Sequence, residues 1–535
     1  MVFEVIEKDL AGKIGELETR RGVIQTPALL PVVNPVKITI PPKEISEEYG
    51  FEALITNAYL IKKHFPVNVE VHHLLGFKGP IMTDSGAYQL LLYGDVEIAP
   101  EEVIWLQESM GSDIAVILDV PTGGEATRAR AEETVRETLR RAEESLSLRS
   151  DPSILWVGPI QGGTYLDLLA YCARKIGSMD FHIHALGSPT QIMEQYDYPQ
   201  LVDMIVTARL NLPLNRPLHL FGAGHPMILP LAVALGCDLF DSAAYAIFAR
   251  DNRYMLPTRT VKIEHLHELP CSCPVCRKTT AEELKELPKE EREKLIARHN
   301  LYITAMEIRA IKQRIQEGTL WEYLEEKCRS HPLLYQAFKR LGKYTKYLEK
   351  FDPVTRGSPR GIFFFDETSL NRPEVERHLS RLEERYLPPP KEILLILPES
   401  PQKPLHQGPL YKAILASKLP KKLEKTLHVV FLSSAFGVIP EELDEVYPLS
   451  QHESCIEPTS KRSLQLMARG LLSIIKKHRY KATVLCSPRE LLQLIEHSIP
   501  KPLLFIEWRE AKSPNELAEE VVSALWSLVR QLEGQ

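Results

Sequence analysis

Between Ile55 and about Val261 short apolar runs alternate with longer stretches of helical periodicity. The runs are FEALIT (51–56), GPIMTD (79–84), IAVILD (114–119), ILWVGPIQ (154–161), FHIHALG (181–187), LHLFGAG (218–224) and CDLFD (237–241). Each is a few residues long and rich in Val, Ile, Leu or Phe, the pattern of a strand buried on both faces. Between them, RARAEETVRETLRRAEESL (128–146) and YPQLVDMIVTARLNL (198–212) read as helices. Strand–helix units repeated this often predict a parallel β/α barrel, with an open doubly wound sheet as the alternative.

Polar residues fall at the ends of these runs. Asp84, Asp119, Gln161, Gly187 and Asp241 each end or directly follow an apolar strand. In a β/α barrel those positions converge on the C-terminal rim, where active sites form. A strand-ending Asp can instead cap the next helix. Five such ends in one domain are harder to explain by capping than one.

Composition shifts after Cys276, where a charged helical stretch covers 281–318 and helical patterning runs on to about Phe351. The turn-rich segment FDPVTRGSPRG (351–361) marks a domain boundary. Beyond it, EILLILPE (392–399), HVVFLSSAFGVIP (428–440), ATVLCS (482–487) and PLLFIEW (502–508) read as strands interleaved with helices. The expected organisation is therefore a catalytic barrel over 1–350 and a smaller α/β C-terminal region over 351–535.

A chain of 535 residues exceeds one ordinary domain, and its 44 % hydrophobic and 25 % charged residues are those of a globular protein. A net charge of −6 excludes a uniformly basic nucleic-acid binder, so any RNA must be held by local patches. The N-terminus lacks a signal-peptide pattern, and no stretch approaches the ~20 apolar residues of a membrane span. A cytoplasmic protein is expected. Eight cysteines are too few for a disulfide scaffold, and three of them crowd into Cys271-Ser-Cys273-Pro-Val-Cys276. Three thiolates on one tight loop, completed by a histidine, make a tetrahedral Cys3His shell that holds structural zinc. His299, 23 residues past Cys276 on a predicted helix, is preferred to His265 and His267, which lie too close to the start of the loop. Four protein ligands leave no open position, so such a zinc builds structure rather than activating water.

The segments GPIMTDSGAYQLLLYGDVEI (79–98), VGPIQGGTY (157–165), LHLFGAGHP (218–226), CDLFDSAAYAIFARDNRY (237–254) and CSCPVC (271–276) resemble archaeal tRNA-guanine transglycosylases, as does the opening KDLAGKIGELET…TPALLPVVNP (8–35). The resemblance covers roughly residues 1–350, and FFFDETSLNRPEVERHLSRLEERYLPP (363–389) and FGVIPEELDEVYPLSQ (436–451) look like the family's archaeal C-terminal extension. It implies a (β/α)8 barrel with an inserted zinc module (about 262–320). It also implies exchange of guanine for 7-cyano-7-deazaguanine at tRNA position 15, giving the precursor of archaeosine, and a homodimer. Archaeal relatives often end in a small basic RNA-binding PUA domain. The tail SPNELAEEVVSALWSLVRQLEGQ is an acidic amphipathic helix instead, so a separate PUA-domain protein is an expected partner.

Exchanging a nucleobase at C1′ requires a carboxylate nucleophile for an oxocarbenium-like centre and an acid/base for the departing and arriving bases. Asp84-Ser85 and Asp241-Ser242 supply two strand-end aspartates, but the residues alone do not assign their roles, and a glycosidase would fit the pair equally well. By resemblance Asp241 is the nucleophile and Asp84 the general acid/base, with Ser85 among the substrate-binding residues. For the base itself, Asp119 can accept from the ring N–H and the exocyclic amine. Gln161 can donate to the 6-oxygen, and Gly187 can let a backbone amide approach. Tyr88 and Phe221 match aromatic positions that stack on a base; core packing is the alternative for Phe221. Ser188-Pro189-Thr190-Gln191 departs from the small apolar residues expected around the seven-substituent.

Three basic groups can meet tRNA or be solvated helix faces: Lys339, Arg340, Lys343, Lys346 and Lys350; Lys418, Lys421, Lys422 and Lys425; Lys476, Lys477, Arg479 and Lys481. The rival functions are an archaeosine synthase-like paralogue that amidates the nitrile, a non-catalytic tRNA-binding subunit, and a glycoside hydrolase. Retention of Asp84, Asp241 and the Cys3His set opposes the first two, and the zinc and guanine-reading residues oppose the third.

Overall fold

Eight parallel strands form one sheet that curls until its edges meet. The computed structural model describes residues 2–66, 69–87, 99–357, 360–417, 419, 421–508 and 512–533. An antiparallel sheet comes first, made of β1 (Phe3–Asp9), β2 (Gly12–Thr19) and β3 (Gly22–Thr26). The barrel strands follow: β4 (Ala28–Pro31), β5 (Leu54–Asn57), β6 (Ile81–Asp84), β7 (Ile114–Val116), β8 (Leu155–Ile160), β9 (Ile183–Leu186), β10 (Leu218–Leu220) and β11 (Leu239–Ser242). Their order is β4-β11-β10-β9-β8-β7-β6-β5, and β4 meets β5 through a Val32–Ile55 bridge, with Val33 N–H donating to Ile55 O at 2.8 Å. The barrel prediction holds and the open sheet is excluded.

Seven of these strands lie in the runs read from the sequence. The eighth, β4, has four residues and is bounded by prolines at 27 and 31, too short to display a period. Leu30, Ile55, Met82, Val116, Val157 and Leu239 share a buried cluster with Phe3, Leu17 and Ile24 of the N-terminal sheet. Strand β6 is buried except at Asp84, and β11 except at Asp241. The polar strand ends are thus the places where the barrel opens.

The helix Arg128–Leu148 begins at Thr127, whose side chain caps Arg130 N–H, and turns Ala131, Thr134, Val135, Thr138 and Ala142 inward. Its threonines hold the loop after β7: Val120 N–H donates to Thr138 Oγ1 at 3.1 Å, and Thr122 and Thr134 hydroxyls lie 2.8 Å apart. The charged stretch 281–318 is two helices, Ala281–Glu286 and Lys289–Glu317, because Pro288 cannot continue the first and serves as the N-cap of the second.

The chain divides into two units: Met1–Leu341 with Phe351–Pro353, and Gly342–Lys350 with Val354–Gln535. The first also holds the antiparallel hairpin of β12 (Arg253–Leu256) and β13 (Arg259–Lys262). In the second, β14 (Ile362–Phe364) pairs with β18 (His452–Ser454). A five-stranded sheet has the order β17-β16-β15-β19-β20, where β15 is Ile393–Pro398, β16 Leu427–Ser433, β17 Gly437–Pro440, β19 Ala482–Ser487 and β20 Leu503–Glu507. The single strand expected over 428–440 is a tight antiparallel hairpin. Ser433 Oγ accepts from Ala435 and Phe436 N–H, and Gly437 takes φ +75°, turning the chain back. Among the described residues no helix is long and apolar enough to cross a membrane.

Candidate active site

A cavity of about 900 Å³ opens at the C-terminal rim of the barrel, and Asp84, Asp119, Gln161, Gly187, Phe221 and Asp241 all line it. Six strand ends distant in sequence meet there because parallel strands all point their C-termini the same way.

Asp84 ends β6. Its Oδ2 accepts from Asn57 Nδ2 at 3.0 Å and from Gly86 N–H at 3.3 Å. Burial, and then the nearby carboxylates of Asp119 and Asp241, push its pKa up to about 7. Such a group gains and loses a proton near neutrality, as an acid/base requires.

Asp119 follows β7 and is pushed up to about 6 by burial, opposed by its hydrogen bond from Gln161. Gln161 Nε2 donates to Asp119 Oδ2 at 2.5 Å, while Gln161 Oε1 accepts from Thr122 N–H at 3.0 Å. The carboxylate and the backbone N–H together fix which end of the amide is nitrogen, leaving one Nε2 hydrogen without an acceptor among the described residues. Gly187 has a different part from the expected one. Its own N–H donates to Ile160 O at 2.9 Å, so its amide is spent within the barrel. Its missing side chain is what counts, since a Cβ there would overlap the Gln161 amide.

Asp241 lies in β11, and its Oδ1 accepts both from Gly222 N–H at 2.9 Å and from His219 Nε2 at 2.8 Å. Oδ2 receives nothing from any other described residue. The sequence does not single out His219, because it sits inside an apolar run; nor does it single out Asn57, although that residue too ends a strand. Phe221 is half-buried, with its ring 4.7 Å from that of His219, and it packs against the barrel core while lining the cavity. Ser85 is fully buried, its hydroxyl lacks a partner among the described residues, and it does not line the cavity. Tyr88 lies outside the described residues.

Several basic residues from the sequence are engaged. Arg340 forms a two-pronged pair with Asp203 at 3.0 and 2.6 Å, and Lys339 sits over the Tyr335 ring. Lys477 donates to the carbonyls of Leu382 and Tyr386, and Lys481 pairs with Glu392. Lys343 and Lys350 also have partners, whereas Lys346, Lys476 and Arg479 are exposed. Lys418 and the side chains of Lys421 and Lys422 lie outside the described residues.

Sγ of Cys271, Cys273 and Cys276 and Nδ1 of His299 all fall within 4.8 Å of one another, a group able to hold a metal ion. His299 Nε2 lies 2.7 Å from Met255 O, so that nitrogen carries the hydrogen and Nδ1 presents its lone pair to the sulfurs. The ring is stacked on Tyr254 at 3.6 Å, and the Tyr254 hydroxyl lies 3.1 Å from Cys276 Sγ. His265 and His267 are exposed and outside the group.

Fold and rim together define a β/α-barrel enzyme with a carboxylate-lined site. The family model described as queuine tRNA-ribosyltransferase matches residues 9–333, and a domain of unknown function (DUF5591) matches 375–510. A Pyrobaculum aerophilum protein named tRNA-guanine(15) transglycosylase is 46 % identical over 85 % of this chain and 90 % of its own length. Proteins of the same name from Saccharolobus solfataricus and Methanocaldococcus jannaschii are 43 % and 42 % identical, covering 92 % and 85 % of this chain and 97 % and 68 % of their own. The chain belongs to the tRNA-guanine transglycosylase family, a family of pentosyltransferases.

Proposed function

We propose that this protein exchanges guanine at position 15 of tRNA for 7-cyano-7-deazaguanine, through a covalent aspartyl–ribosyl intermediate, on the route to archaeosine. The observation that carries the chemistry is the asymmetry of Asp241. Oδ1 is held by His219 and Gly222, which leaves Oδ2 to attack. Oδ2 bonds to C1′ as the bond from C1′ to the guanine nitrogen breaks, and Asp84 gives its proton to the departing base. The incoming base then returns a proton to Asp84 and attacks C1′, and the ester electrons go back to Asp241. One bond forms and one breaks at C1′ in each half, and the proton on Asp84 is restored.

The base edge shared by guanine and its replacement meets Asp119 and the unspent hydrogen of Gln161, while Pro189 and Thr190 flank the seven-position. The names of the archaeal relatives support tRNA and position 15 as substrate and site. Zinc suits the Cys3His group by its donor set and by the histidine tautomer, and closes a structural knot with no vacant position. Elemental analysis is expected to give about one zinc per chain, and a folded wild type free of zinc overturns that assignment. The exchange itself is tested with labelled guanine and bulk tRNA. Incorporation, together with a protein–tRNA adduct that survives denaturation, is expected; a wild type that shows neither overturns the reading.

A further inference from the structure

We propose that Ser188 is a positioning residue that locks the orientation of the Gln161 amide, so that the pocket selects a purine bearing an oxygen at its six-position. The inference rests on the base-exchange reading and deepens it.

Ser188 has φ +61°, a left-handed backbone that non-glycine residues seldom adopt and that costs energy. Glycine would follow the same path without strain. What serine adds is a hydroxyl that both accepts and donates. Gly123 N–H donates to Oγ at 3.2 Å, occupying a lone pair, and Oγ in turn donates to Gln161 Oε1 at 2.9 Å. Gln161 Oε1 therefore has two donors, Thr122 N–H being the other, and Nε2 points one hydrogen at Asp119. Turning the amide over would set its NH2 against the Thr122 N–H and its oxygen against the Asp119 carboxylate. Both contacts repel.

The second Nε2 hydrogen is the group left to read the base, and it demands an acceptor. The loop carrying Ser188 is clasped a second time to the same neighbour, Gly124 N–H donating to Gln191 Oε1 at 2.6 Å. A turn that served only the path of the chain would have that clasp and no need of a strained serine. Thr122 survives removal of the hydroxyl, so the lock is loosened rather than lost.

The test uses the full chain with Ser188→Gly and Ser188→Ala, and reads calorimetric affinity for guanine and for 6-thioguanine. The thio base keeps the edge that faces Asp119 and replaces the six-oxygen by a poor acceptor, which isolates the contact in question. Both variants are expected to bind guanine about five- to tenfold more weakly, the loss typical of one hydrogen bond. Affinity for 6-thioguanine should change less than about twofold, so the ratio between the bases narrows. The midpoint of thermal unfolding should rise or hold for the glycine variant, which sheds the strain. Unchanged guanine affinity, or equal loss for both bases, overturns the role of Ser188. Because binding is read on free base, the outcome stands apart from exchange. A wild type that binds guanine but does not exchange it sinks only the functional reading, and one that binds no guanine sinks both.

Discussion

Aspartates at the two ends of this barrel are the same side chain put to opposite uses. Asp113 sits immediately before β7, at the N-terminal end, with no exposed side-chain area. Oδ1 accepts from Arg20 Nε at 2.9 Å, and Oδ2 from Ile81 N–H at 2.8 Å, with His72 Nε2 also 2.9 Å away. Burial drives its pKa up, but the hydrogen bonds from His72, Ile81 and Arg20 outweigh burial and hold it below the ordinary value. At the C-terminal rim, Asp84, Asp119 and Asp241 each have one oxygen engaged and receive nothing on the other from any other described residue. A carboxylate satisfied on both sides stabilises the fold and is chemically idle. One left half-satisfied costs stability and keeps an oxygen for substrate.

The largest effects should separate the two ends outright. Asp241→Asn keeps the side-chain volume and removes the nucleophile, so exchange should fall by at least about a thousandfold with unfolding unchanged. The denaturation-resistant tRNA adduct should vanish with it; persistence of the adduct would remove Asp241 as nucleophile. Asp113→Asn should do the reverse. Its NH2 would face the donor on Arg20 Nε or on Ile81 N–H, at a cost of about 2–4 kcal/mol in urea unfolding, while exchange per folded molecule is retained. If Asp113→Asn instead abolishes exchange at full stability, the division between the ends fails.

A smaller effect sharpens the picture within the rim. Asp119→Ala leaves the base donors unpaired in a dry pocket, at roughly 2–4 kcal/mol, or about one to three decades in kcat/KM. The loss should be alike for guanine and 7-cyano-7-deazaguanine, which share that edge. Substituting Pro189 or Thr190 should shift the ratio between them. If Asp119→Ala moves only the ratio, the base lies the other way round.

Local signals are legible in the sequence and non-local ones are not. Seven barrel strands, the candidate metal-holding cysteines Cys271, Cys273 and Cys276 and the strand-end aspartates each announce themselves within a few residues. Strand β4 does not, since four residues between prolines show no period. The N-terminal sheet escapes a reading by pattern for a related reason: β1 mixes one apolar with several polar exposed positions and buries Phe3 only against distant partners. His219 and Asn57 join the site only through their hydrogen bonds to Asp241 and Asp84, partners 22 and 27 residues away. The part played by Gly187 depends on where the Gln161 side chain lies, and the left-handed Ser188 has no mark in its neighbours. Ser85 shows the converse, a residue adjacent to a rim aspartate that is itself fully buried.

The subtlest consequence is a pH dependence of opposite sign at the two ends. With a folded pKa of about 7 against an ordinary 3.8, Asp84 in the native protein holds a proton that the unfolded chain has released. Stability then falls as pH rises between those values, and the full penalty stands above pH 7. An asparagine in place of Asp84 cannot ionise and keeps the acceptor for Asn57. Asp84→Asn should therefore match the wild type near pH 4 and exceed it at pH 8, by up to about 2 kcal/mol, as exchange is lost. Asp113 is the mirror case. Its depressed pKa gives stability that is present above the ordinary carboxylate value and lost as pH falls through the folded one, so the deficit of Asp113→Asn should shrink in acid. Urea unfolding at pH 5 and pH 8 for the two variants and the wild type reads both signs at once. An Asp84→Asn protein no more stable than the wild type at pH 8 would mean that the rim carboxylate is well solvated, and its elevated pKa, with the acid/base role that rests on it, would have to be given up.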